Sequence, residues 1–449
     1  MPPRSLSTRP SSDVSPPAAT AHARRPVPAI LVAVVVAIAL SALGPPLRIA
    51  TIAAGGLPDL TFHGRGYGHG VGMSQYGARG RALAGQLAPA ILAHYFPKTA
   101  FATRSKTANV RVLLLSGFKA TALEPLTVAG VGGRLTVDGI GIAFPANAIL
   151  TLAPTAPGAT TWILRVASPT GKILVKRVVT GDVAVRPTDE TGLLKLLSKA
   201  ATTNVFRGLL RIRLTATALV VNHVTIERYL RGVVPLEMPS TWPTEALRAQ
   251  AIAARSYALY HVHPTTGLFD VYDDTRSQVY RGVGAERLAS DLVISATAGT
   301  VLVSGTSLVN AMFHSADGGW TENNENVFVS ATGEIVAGAL PYLRGSTDRA
   351  PDGTSYDKAS PYATWKTATY SATLLSAILA RDSRTSVGAL TAIDLSRRGV
   401  SGRLISVTLT GSQATKTVSG EVFRAAFNAG KPAADPALRG TLFSTAPIP

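Results

Sequence analysis

Short runs of apolar and β-branched residues, several alternating with Arg or Lys, fill residues 107–225. They are Val110–Leu115, Gly133–Val137, Thr161–Val166, Lys172–Val179 and Leu209–Leu214, separated by Gly-, Pro- or Asn-rich turns. A period of two with basic residues on alternate positions predicts half-buried strands. Two stretches switch to three- and four-residue spacing, which predicts helices. The first is Ala78–Phe96, with Leu83, Leu87, Ile91, Leu92 and Tyr95 on one face and Pro97 as its stop. The second is Thr241–Tyr260, dense in alanine, with Pro243 in the first turn, where a missing N–H is tolerated. Late strands are expected at Arg403–Leu409 and Ala414–Val418. No repeat at solenoid or propeller spacing is visible. The expected fold is α+β, a strand-rich mixed core with a central alanine-rich helix.

Composition refines this picture. With 46% hydrophobic and 16% charged residues over 449 positions, most of the chain is expected to fold, and 41 Gly with 29 Pro suit a turn-rich, strand-rich protein. The first residues depart from this. Residues 1–28 form a basic Pro/Ser/Ala-rich tail with Arg4, Arg9, Arg24 and Arg25, and residues 29–47 are apolar up to the breaker Gly44-Pro45-Pro46. A basic flank followed by an apolar run is read as a signal peptide, with Ala39–Ser41 as a small-residue cleavage site, or as a retained membrane anchor. Both readings export the remainder, which divides into 58–104 (a Gly/His loop and helix associated with the catalytic domain), a β-rich domain or extension at 105–203, and a main domain at 204–445.

Lys and Arg outnumber Asp and Glu by 44 to 26, a formal charge of +18, which implies a polyanionic neighbour. The basic residues are scattered and no zinc-finger or RNA-binding aromatic signature accompanies them, so anionic wall polymers or lipid are favoured over nucleic acid. With no cysteine, disulfides, Cys-ligated zinc and thiol catalysis are excluded.

Two segments carry candidate chemistry. Glu237 lies between Leu236 and Met238-Pro239, just ahead of the alanine-rich helix. Apolar neighbours would raise its pKa toward that of a general acid, while the blander reading is a solvated or helix-capping carboxylate. The second segment is Gly64-Arg-Gly-Tyr-Gly-His69-Gly-Val-Gly-Met-Ser74-Gln75-Tyr-Gly77. It lacks the lysine of a nucleotide loop. Alternate glycines suit a tight loop approaching a ligand, with His69, Ser74 and Gln75 offering hydrogen bonds, or a structural loop with its His satisfied in the core. His63, His69, His261, His263 and His314 have no recognised zinc spacing, and no metal or other cofactor is expected. Tyr257 and Tyr260 are read as core rather than sugar-stacking residues.

The run Tyr229-Leu-Arg-Gly-Val-Val-Pro-Leu-Glu237-Met-Pro239, followed by Trp242-Pro-Thr-Glu-Ala-Leu-Arg-Ala-Gln250-Ala-Ile-Ala-Ala-Arg255-Ser-Tyr257, resembles the signature of the SpoIID/LytB family, that of stage II sporulation protein D and the amidase enhancer. Thr275–Gly282, Ala298–Leu302, Phe313–Glu322 and the close of the chain extend the likeness over about residues 204–445, with the Gly/His segment in addition. The resemblance implies an exported peptidoglycan lytic transglycosylase cleaving MurNAc–GlcNAc strands, with Glu237 as its single catalytic acid and base. Protonation of the glycosidic oxygen, then attack of the MurNAc 6-hydroxyl on C1, gives a 1,6-anhydro end without the second carboxylate that a glycosidase uses. Substrate contacts are expected from His69, Ser74, Gln75, Gln250, Arg255, Gln278, Tyr280 and His314, the last alternatively supporting its loop. Relatives usually carry the Gly-His-Gly stretch after the glutamate segment, whereas this chain places it first. The alternatives are a non-catalytic glycan-binding enhancer of a cell-wall amidase, which would make that amidase a partner, and a structural wall-attached protein.

Overall fold

The computed structural model describes residues 56–448 except Pro264. The tail at 1–28 and the apolar segment at 29–47 lie outside the described residues. Among the described residues, no helix is long and apolar enough to cross a membrane.

The fold is mixed α+β, as expected. Two large sheets dominate its first half. Seven strands run in the order 271–272, 109–118, 218–225, 209–214, 181–187, 135–137 and 140–144, and six in the order 173–179, 162–167, 149–154, 126–131, 193–196 and 205–206. Alternation sets their inner faces. In Leu209–Leu214, Leu210, Ile212 and Leu214 are buried while Arg211 and Arg213 are exposed. Inward side chains from both sheets, including Val112, Val128, Leu150, Trp162 and Ile212, share one core. The expected strands are therefore present, most with ends shifted by one to three residues.

Nine helices follow chain order among the described residues: α1 (Gln75–Leu83), α2 (Ala88–Tyr95), α3 (Ile226–Arg231), α4 (Val234–Glu237), α5 (Thr244–Tyr260), α6 (Leu288–Ala296), α7 (Asn324–Val327), α8 (Ala372–Leu379) and α9 (Gly420–Gly430). The single helix expected over Ala78–Phe96 is two helices. Gly85, at φ +84°, breaks it, and Pro89 stands in the first turn of the second. As a result Leu83 and Leu87 are 63% and 61% exposed at the break, and only Ile91, Leu92 and Tyr95 of the expected stripe face the core.

The alanine-rich helix α5 is buried nearly all round, as a helix between two cores must be. Ala251, Ala254 and Ala258 pack into the sheet core, while Ala246, Ala249, Ile252 and Ala253 pack into a second core with α1 and α2 residues. Alanine suits this place because it propagates helix while allowing close approach on both sides. A third core joins strand Leu60–Gly64 to the last part of the chain. Phe62 meets Phe423, Phe427 and Phe443 edge-on, with ring centroids 5.3–5.8 Å apart. The same strand lies between Trp365–Tyr370 and Phe443–Ser444, antiparallel to both, with Gly64 opposite Phe443. Residues near the two ends of the described chain thus lie side by side.

Candidate active site

Glu237 is the last residue of α4, a single turn containing Pro235 that ends where Met238 leaves in extended conformation. Met238 is wholly buried in the second core and fixes the backbone on one side, whereas Leu236 is 42% exposed and contributes little shielding. The carboxyl is partly buried and lies on a cleft of about 490 Å³. Its Oε2 accepts from Gln75 Nε2 at 3.2 Å and its Oε1 from the Val279 backbone N–H at 3.3 Å. Burial raises its pKa above the usual carboxylate value, and these two hydrogen bonds pull part of the way back. Among the residues lining the cleft, Glu237 is the single carboxylate.

The Gly-His-Gly loop reaches this cleft from the start of the chain. Four of its glycines, at 66, 68, 70 and 72, have positive φ, and at Gly66, Gly70 and Gly72 the neighbours leave no room for a side chain. A Cβ on Gly70 would sit 2.3 Å from the Arg403 guanidinium, and one on Gly72 2.2 Å from the Met312 carbonyl oxygen. The loop then pairs Met73–Ser74 in parallel with Phe313–His314. Ser74 is wholly buried and caps α1 by accepting from the Gly77 N–H at 3.1 Å. Ser74 therefore positions Gln75, at the first turn of α1, rather than reaching the cleft itself.

His69 and His314 both line the cleft, their ring centroids 5.3 Å apart. Val71 N–H donates to His69 Nδ1 at 3.0 Å, so Nε2 carries the proton and donates to the Phe313 carbonyl at 3.1 Å. Burial and the charge of Arg403 lower the His69 pKa to about 4, and burial with the nearby His69 and Arg403 holds that of His314 well below the usual imidazole value. Both rings are neutral at neutral pH. His314 Nδ1 lies 3.2 Å from the Val71 carbonyl, while its buried Nε2 has no partner among the described residues. Among the described residues no three His, Cys, Asp or Glu side chains converge as a metal-binding group.

The remaining expected contact residues are packed behind the cleft rather than along it. Arg255 is wholly buried and holds Glu227 of α3 through Nε at 3.0 Å and Nη2 at 2.7 Å, and also the carbonyls of Ile294 and Thr300. It ties α5 to α3, α6 and the following strand. Gln250 is wholly buried, with neither amide atom hydrogen-bonded among the described residues. Gln278 accepts from the Tyr229 hydroxyl at 3.1 Å and donates to the Ala254 carbonyl at 3.3 Å, and the Tyr280 hydroxyl donates to Asn222 at 2.9 Å. These two buried side chains flank Val279 and so pin the backbone amide that holds Glu237.

Sequence reasoning passed over several lining residues. Tyr257, read as core, lines the cleft, and Tyr260 is 39% exposed, because the helix turns that face away from both cores. Tyr67 and Phe328 are exposed aromatics on the cleft wall, and Thr275, Arg276 and Ser277 form the strip beside Val279. Tyr67 could have been found from its place inside the glycine-rich loop; Phe328 carried no local signal.

Comparison with known proteins matches residues 215–303 to a family model described as SpoIID, stage II sporulation protein. An uncharacterized protein of Brachyspira hyodysenteriae is 37% identical over 142 residues, 31% of this chain and 36% of that protein. The amidase enhancer of Bacillus subtilis is 36% identical over 119 residues, 26% of this chain and 15% of that protein. Stage II sporulation protein D of the same organism is 31% identical over 157 residues, 31% of this chain and 42% of that protein. The matches thus span less than half of each relative's length.

Proposed function

With residues 215–303 marking a chain of the SpoIID/LytB family, we propose that it acts on the bacterial cell wall as a peptidoglycan lytic transglycosylase, with Glu237 as acid and then base. The observation that carries this reading is a single, partly buried carboxyl on a cleft, raised in pKa and held by two donors at its two oxygens. In its protonated form Glu237 gives its proton to the glycosidic oxygen between MurNAc and GlcNAc as the C1–oxygen bond breaks. The resulting carboxylate takes the proton of the MurNAc 6-hydroxyl as that oxygen bonds to C1. Proton and electron count balance with no water consumed. The Gln75 and Val279 donors stabilise the carboxylate formed halfway, and the neutral His69 and His314 add no competing cation beside it.

Isotopic labelling tests this. Digestion of peptidoglycan in ¹⁸O water is expected to yield anhydro-muramoyl ends free of label, whereas labelled reducing ends would establish hydrolysis instead. The relative named amidase enhancer supports a second reading, in which the cleft binds glycan and stimulates a separate amidase. Products formed only when an amidase is added would favour it. Both readings place the chain at the cell envelope, with glycan strands as its partner and the anionic wall polymers as the counterpart of its +18 charge.

A further inference from the structure

The six-stranded sheet turns one face to the shared core and the other to solvent, and strand register fixes which side chains meet solvent together. In its two outermost strands, 173–179 and 162–167, Val175, Arg177 and Val179 stand opposite Val166, Leu164 and Trp162, all three of which are buried. The other paired positions point outward, Ile173 opposite Ala167, Lys176 opposite Arg165 and Val178 opposite Ile163. Two cations therefore face each other directly across the sheet, which destabilises it unless an anion answers them. No anion of the described chain does. Lys176 and Arg165 are exposed and make no hydrogen bond or ion pair among the described residues, and none of the six strands carries Asp or Glu. On the seven-stranded sheet, by contrast, Arg211 and Arg213 share Asp182 at 3.5 Å and 2.9 Å.

A lysine on an edge strand can serve only to block edge-to-edge association. That accounts for Lys176 and leaves Arg165, one strand further in, unexplained. Nor are the cations set among polar groups. Ile173 and Val178, on either side of Lys176, are 57% and 67% exposed.

We infer that this face docks on the surface of a bilayer containing anionic phospholipid. The headgroups supply the missing counter-charge to Arg165 and Lys176, while Ile173 and Val178 enter the boundary beneath them. A phosphodiester wall polymer would answer the charges but leave those two apolar side chains in water. A second copy of the chain would bring cations against cations, because this sheet offers no carboxylate. Docking here is independent of the chemistry at Glu237.

The chain has no cysteine, so one introduced as Val178→Cys carries a single environment-sensitive fluorophore. The label reads this face alone, whatever the rest of the full chain does. Vesicles of equal parts phosphatidylglycerol and phosphatidylcholine are expected to shift its emission to the blue, and vesicles of phosphatidylcholine alone to leave it near its value in water. The ratio of docked to undocked label is expected to fall about fivefold in Arg165→Gln and as much again when Lys176→Gln is added, the scale of one basic residue near an anionic surface. Added salt is expected to lower it too. The same fluorophore at Leu374→Cys on α8, another exposed apolar position, is expected to stay in water. Both Gln substitutions fall at exposed positions, and circular dichroism checks the sheet before titration. A blue shift equal on both kinds of vesicle, or one that the doubly substituted protein retains in full, would overturn the inference. So would a label that responds to poly(glycerol phosphate) and not to vesicles, which assigns the face to a wall polymer, or one that responds to protein concentration alone, which assigns it to a second copy.

Discussion

Gln75 and Glu237, 162 positions apart in the chain, meet through a hydrogen bond of 3.2 Å at the cleft. The contact joins the Gly-His-Gly loop to the glutamate turn, so the two segments singled out in the sequence serve one site. It also ties the loop to the ionisation of Glu237, since an amide N–H donated to a carboxyl favours the charged form.

Removing that donor therefore has a direction. Gln75→Leu takes away a bond that lowers the Glu237 pKa, so the pKa rises and the acid stays protonated to higher pH. The alkaline limb of the pH–rate profile is expected to move upward, while the rate constant at its maximum falls because the carboxylate formed in the first step loses support. A profile that moves toward acid would contradict this assignment.

Arg255 is expected to act on stability rather than on substrate. Glu227→Ala leaves its wholly buried guanidinium without a counter-charge and should cost about 3–5 kcal/mol in chemical denaturation. The folded fraction should keep its KM. Undiminished stability with weakened glycan binding would return Arg255 to the substrate side.

Gly70 tests the loop's construction. Alanine there meets both a φ of +83° and the Arg403 side chain, and is expected to destabilise by roughly 1–3 kcal/mol, read from urea midpoints. Substitution at Gly85, whose Cβ would meet nothing within 4 Å, carries the backbone penalty without the clash and should cost less.

How far the sequence foretold this arrangement depends on the range of the signal. Strands such as Leu209–Leu214 and helix α5 were legible because alternation and alanine density are local. Glu237 was legible through its flanking motif. The break at Gly85 was not, because the apolar spacing continues across it while the backbone does not. The roles of Gln278 and Tyr280 were hidden for another reason. Motif membership marks a residue as constrained, and only tertiary contacts reveal that both are buried and that the group facing Glu237 is the amide between them. Nor did the sequence show that strand Leu60–Gly64 lies antiparallel beside Phe443–Ser444, a pairing between positions far apart in the chain.

The central claim is that one carboxyl at position 237 makes and breaks the bonds to hydrogen during strand cleavage. The most direct measurement is mass spectrometry of the muropeptides released by the wild type and by Glu237→Gln, whose near-isosteric amide keeps the fold but has no acidic proton to give. The account predicts anhydro-muramoyl ends from the wild type and a loss of at least about a thousandfold in the variant, the scale of general acid–base catalysis on both halves of the reaction. Equal yields of those ends from both proteins would contradict it.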